Sequence, residues 1–109
     1  MTGTVMVAFL PPAKERLVRL MQEVNFGTVE GLAIQGGEPV FKPRPRVVRE
    51  VKFGGQNGPR PEAGKHDFVL KREVLDLFAQ MEAMGDGVIQ CIEVKHGLPF
   101  KMTIEEDAA

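Results

Sequence analysis

The residue types best able to do chemistry gather near the end of the sequence. Cys91, Glu93, Lys95 and His96 lie close together, and the first three share one side if the segment is a strand of period two. A cysteine near a histidine is the pairing of a nucleophile with its base. Yet nothing around Cys91 would lower a thiol pKa in the usual way, such as a helix N-terminus. Cysteine is also among the most commonly buried residue types. The sequence therefore reads as a half-buried structural cysteine, and no catalytic residue is assigned.

His66 and His96 are the only histidines. With Asp67, Glu93 and Cys91 they supply metal-ligand types, but the HxxxH, HxH and CxxC spacings are absent. No metal and no cofactor is expected. Residues 53–66 have the composition of a phosphate loop, with Gly54, Gly55, Gly58 and Gly64 and the nearby Lys52, Arg60 and Lys65. They carry neither GxxxxGK[ST] nor GxGxxG, and they do not lead straight from a strand into a helix N-terminus.

A looser anion contact stays open. Residues 42–72 hold nine basic against three acidic side chains, a net +6, while the rest of the chain has five against twelve, a net −7. The whole-chain charge of −1 hides this separation, which can orient a partner, including a second copy of the chain. The candidate anion ligands are Arg44, Arg46, Arg49, Lys52, Arg60 and Lys65. Nucleic-acid readers usually add stacking aromatics, and here only Phe41, Phe53 and Phe68 are at hand.

Those residues need elements to hold them. Residues 1–11 read as an N-terminal strand or tail, stopped by Pro11 and Pro12. Residues 12–25 place Leu17, Leu20, Met21 and Val24 at helical spacing. A strand, the turn Gly36-Gly37 and a second strand complete a first αββ unit over 12–41. An extra strand spans 46–53 with Val47, Val51 and Phe53 on one face. Arg49 falls on that face too, so it is either buried against a carboxylate or turned outward by a bulge. Residues 54–66 form a loop rich in glycine and proline. A second αββ unit fills 70–105, with Leu70, Val74, Leu77, Phe78, Met81 and Met84 as its helical stripe. Leu98, Phe100, Met102 and Ile104 alternate in its last strand.

An offset of 60 residues aligns the two units with five identities in 24 positions: Leu17/Leu77, Met21/Met81, Gly27/Gly87, Gly37/Gly97 and Pro39/Pro99. The expected fold is α+β, two αββ repeats forming an antiparallel sheet with both helices on one face. The core then contains Leu20, Met21, Leu77, Phe78, Met81, Ile92, Val94, Phe100 and Met102. The opposite face would show Val29, Ala33, Ile89 and Cys91, small or apolar residues that read as an interface.

The first unit, from Leu17 and Met21 through Phe26-Gly27-Thr28-Val29 to Gly37 and Val40, resembles the small bacterial YezD-like αββ proteins. The resemblance covers about a third of the chain, and Pro43 and Pro45 depart from it. It implies a fold and a bacterial setting, and no activity.

At 109 residues the chain makes one domain of ordinary composition, with 43% hydrophobic and 27% charged residues. Its single cysteine forms no internal disulfide, which fits a reducing, cytoplasmic setting. The longest apolar run, residues 5–12, is far short of the roughly 20 needed to span a bilayer and lacks the flanks of a secretory signal, so no membrane role is expected. Together these features point to a non-enzymatic interaction or assembly module, a self-associating homodimer. The alternative is a module that binds nucleic acid or another polyanion through residues 42–72.

Overall fold

The computed structural model of the chain describes residues 6, 9–54 and 70–106. The protein is α+β, with two helices and a five-stranded antiparallel sheet. Helix α1 (Pro12–Val24) opens on a proline in the first turn, where a missing N–H costs nothing. It buries Leu17, Val18, Met21 and Val24 along one stripe. It stops at Asn25, whose φ of +63° turns the chain while its N–H donates to the Met21 carbonyl at 3.0 Å. Three strands follow: β1 (Gly27–Gln35), β2 (Glu38–Val40) and β3 (Arg46–Arg49). Helix α2 (Arg72–Met84) buries Val74, Leu77, Phe78 and Met81, and ends at Gly85 with φ +72°. Strands β4 (Gly87–Lys95) and β5 (Leu98–Ile104) complete the sheet.

The sheet order is β2-β1-β4-β5, and β3 also pairs with β1. Since β4 takes the other side of β1, β2 and β3 lie end to end along a single edge. The central pair β1 and β4 is antiparallel, from Gly27↔Val94 to Ile34↔Gly87. The elements α1, β1 and β2 begin at the positions where α2, β4 and β5 begin, less 60. Each hairpin turn docks on the end of the opposite helix. Gly37 N donates to the Gly85 carbonyl at 2.7 Å, and Gly97 N donates to the Asn25 carbonyl at 2.9 Å. Lys14 of α1 also reaches Glu82 of α2, at 2.8 Å.

One hydrophobic cluster joins both helices to one face of the sheet. Its largest fully buried side chains include Leu17, Met21, Leu32, Met81, Ile89 and Ile92. Each such side chain stabilises the fold by roughly 1.5–3 kcal/mol relative to exposure.

Three sequence expectations need correction. Val29 and Ile89 are not on an open face; both are fully buried in this core. In β1, Gly31 adopts φ +71° between Val29 and Leu32, so the alternation slips by one residue and both face the helices. In β4, a register shift against β5 between Ile89 and Cys91 has the same result for Ile89 and Ile92. Phe100, expected in the core, is 61% exposed, because a second shift between Glu93 and Val94 turns it outward. The extra strand is shorter than 46–53: β3 ends at Arg49, with Val51 and Phe53 exposed beyond it. Of the two placements left open for Arg49, the structure shows the outward one: it is exposed.

Candidate functional site

The open face of the sheet carries the chemistry-bearing strand residues. Thr28, Glu30 and Ala33 of β1 stand opposite Glu93, Cys91 and Val88 of β4. Thr28 Oγ1 donates to Glu30 at 2.9 Å, Arg46 lies 3.9 Å from Glu30, and Lys101 lies 3.6 Å from Glu93. Of the four expected interface residues, Ala33 and Cys91 are on this face and partly buried. With Val29 and Ile89 removed to the core, charged and hydroxyl side chains dominate the middle of this face.

Cys91 is placed against nucleophilic use. Burial pushes its thiol pKa up, the carboxylates of Glu30 and Glu93 push it further, and Lys101 only partly offsets them. A nucleophile at neutral pH needs the opposite shift. His96 sits in the β4–β5 turn, with its ring edge-on to Phe26 at 4.8 Å between centroids. Among the described residues no group of His, Cys, Asp and Glu side chains could hold a metal ion. No helix among them is long and apolar enough to cross a membrane. His66, Arg60 and Lys65 lie outside the described residues.

A concavity lies elsewhere, between α1 and the chain from Phe41 to Val47. It is an open groove of about 460 Å³. Leu20, Pro45 and Val47 give it an apolar floor, and Arg16, Arg19 and Arg44 stand around it with one acid, Glu23. Helical geometry explains the α1 side. Arg16, Arg19, Leu20 and Glu23 lie at spacings of three, four and seven, so they form one stripe beside the buried one. The guanidinium of Arg16 lies over the Phe41 ring, 4.2 Å from its centroid, a cation–π contact that holds both side chains in place. Arg19 is paired with Glu15 one turn back, at 2.9 Å.

Of the expected anion ligands that lie among the described residues, only Arg44 lines this groove. Arg46 is turned to the open face toward Glu30, while Arg49 and Lys52 are exposed beyond it. Sequence reasoning missed Arg16 and Arg19, and it named Phe41 only as a stacking aromatic for nucleic acid. The signal for the two arginines was present in the i, i+3 spacing flanking the apolar stripe, but their meeting with Arg44 is long-range.

A groove of about 200 Å³ lies on the other edge of the sheet, between α2 and β5. It is lined by Glu73, Asp76 and Gln80 with Pro99, Phe100 and Lys101, so its helix side is acidic where that of the first groove is basic. Compared with known protein families, with curated proteins and with solved structures, the chain matches none.

Proposed function

We propose that the chain is a small, non-enzymatic binding module that takes an anionic partner in the groove between α1 and residues 41–47. The observation that carries this reading is the arrangement of Arg16, Arg19 and Arg44 around an apolar floor. Guanidinium groups are weakly hydrated and present planar donor forks that match carboxylate and phosphate oxygens. The stacking of Arg16 on Phe41 reduces the entropy lost when it is fixed by a ligand. Lys42, Arg44, Arg46, Arg49 and Lys52, against the one acid Glu50, add a longer-range field that steers anions toward this edge.

The experiment is a fluorescence titration of the full chain with a short oligoglutamate and with a short single-stranded oligonucleotide, at low and then rising ionic strength. Binding at low salt should weaken as salt rises. Arg16→Ala and Arg44→Ala should each cost roughly three- to ten-fold in affinity, the range for a charge-assisted contact at a partly exposed site. Arg72→Ala, whose guanidinium faces Asp76 on α2, should leave affinity unchanged. Failure of both probes to bind at low ionic strength would overturn the reading.

A further inference from the structure

The identity of the anion follows from the strand that borders the groove, and this inference rests on the anionic-partner reading above. We propose that the partner is an extended peptide of alternating acidic and apolar residues, which adds as a further strand to the edge of β3 that no other strand among the described residues pairs with.

The phase of the β1–β3 ladder fixes which backbone groups face outward. Glu50 N donates to the Phe26 carbonyl at 2.8 Å, and the register runs Thr28↔Val48 and Glu30↔Arg46. In an antiparallel pair, hydrogen-bonded and non-bonded pairs alternate. The bonded positions of β3 and the residue after it are therefore Arg46, Val48 and Glu50. The N–H and C=O groups of Val47 and Arg49 point away from β1, toward the sheet edge. All four residues of β3 are exposed, Val47 and Val48 included. Such an edge is a template for strand addition, with backbone hydrogen bonds supplying affinity and alternate side chains supplying specificity.

The side chains around the edge set the pattern of the peptide. Val47 turns to the groove, so every second side chain of an added strand enters it beside Arg16 and Arg44. Glutamates there would cover Leu20 and Val47 with their methylenes and reach the guanidinium groups with their carboxylates. The intervening side chains would fall on the open face beside Val48 and Arg46, where an apolar residue would cover the exposed Val48. A nucleic acid fits less well. One face of Phe41 is already taken by Arg16, Glu23 interrupts the basic rim, and outward amides find no regular partner on a phosphate backbone. The other free edge, β5, is bordered by Glu73 and Asp76, which would repel the same peptide.

The test uses the isotope-labelled full chain and a capped Glu-Val-Glu-Ile-Glu-Val peptide, with an oligonucleotide of equal charge alongside. Two further peptides carry N-methyl groups on one or the other alternate set of amides. The expected result is protection of the Val47 and Arg49 amides from exchange and a roughly ten-fold loss of affinity for one N-methylated set only. Equal affinities for the two methylated sets would overturn strand addition, while continued dependence on Arg16 would leave the anion reading standing. Binding of the oligonucleotide without the peptide would overturn the peptide partner alone. Protection of Val47 and Arg49 that grows with protein concentration, with no peptide present, would mean that a second copy takes the edge and would also overturn the proposal. Silence from both probes at low ionic strength would remove the underlying reading as well.

Discussion

Replacing Gly27 by alanine, with Gly87→Ala as its control, isolates what holds β3 against the sheet. The two glycines open β1 and β4 with nearly the same backbone, φ +153° and +157°. An alanine pays for that conformation at either site, about 1–3 kcal/mol. The surroundings differ. At Gly27 a Cβ would overlap the carbonyl oxygen of Val48 and lie 2.9 Å from the Cα of Arg49, both backbone atoms of β3. At Gly87 it would meet only the terminal methyl of Met84, at 3.1 Å, which can swing away. The strain common to both sites cancels in the comparison and leaves the β3 contact. The protein relieves that overlap by letting β3 move off, so the extra cost is capped by what docking contributes. That is a handful of edge hydrogen bonds at about 0.5–1.5 kcal/mol each, together with the half-exposed Val47. We expect Gly27→Ala to be about 2–4 kcal/mol less stable than Gly87→Ala in chemical denaturation. Amide exchange should show Arg46, Val48 and Glu50 losing protection while the β4–β5 ladder keeps its own. Because Val47 is a wall of the groove, anion binding should fall in Gly27→Ala and not in Gly87→Ala. Equal stabilities, with β3 amides still protected, would refute the reasoning.

Further outcomes follow from the core and from the open face. Ile89→Lys puts a charge at a fully buried position, so it should cost several kcal/mol and unfold the chain; a folded variant with unchanged melting would contradict the placement of Ile89 beneath the helices. Cys91 has a folded pKa above its unfolded value, so its contribution to stability is present below the unfolded pKa and is lost as pH rises through the folded one. Its alkylation near neutral pH should be slow and should quicken in Glu30→Gln and Glu93→Gln; unchanged or slower rates would show that these carboxylates do not act on the thiol. The Lys14–Glu82 pair links the helices with Lys14 mostly covered and Glu82 62% exposed, so solvent screening limits a double-mutant cycle to about 0.5–1 kcal/mol.

The helices and strands were legible because their signals are local. Leu17, Met21 and Val24 recur at helical spacing, and the glycine turns mark the hairpins. The starts of α1, β1 and β2 recur 60 residues later in α2, β4 and β5, although β2 stops at Val40 and β5 runs on to Ile104. The strand faces were misread where periodicity itself breaks. Strict alternation anchored on Leu32 and Ile34 sends Val29 to the wrong side, and only the positive φ of Gly31 restores it. Phe100 failed for the same reason, since a bulge is a property of two paired strands and leaves little trace in one. The basic segment was visible as composition, but composition cannot show that Arg46 turns to Glu30 while Arg44 turns to α1. Arg16 and Arg19 join the site through tertiary packing, which brings residues about 25 apart in sequence to one groove.

The two edges of the sheet show how a shared backbone acquires different uses. Along the second edge β5 runs unbroken for seven residues, and Pro99 removes a donor from it. Lys95 covers the face of Phe100 at 4.2 Å, and Glu73 and Asp76 flank the strand. These features discourage pairing with another strand. Along the first edge the equivalent path is interrupted after Val40, and β3 offers only four residues, with arginine at each end. A short edge guarded by positive charge discourages most strands, and on the proposed reading it would accept one that brings carboxylates. The positions that border the two grooves differ accordingly at the 60-residue offset: Arg16 stands where Asp76 does, Leu20 where Gln80 does, and Phe41 where Lys101 does. The buried residues at that offset stay apolar, as in Leu17 and Leu77, Met21 and Met81, Val29 and Ile89. The core is thus alike beneath both edges, while the charge beside them differs, and it is this difference on which the proposed choice of edge by an acidic strand rests.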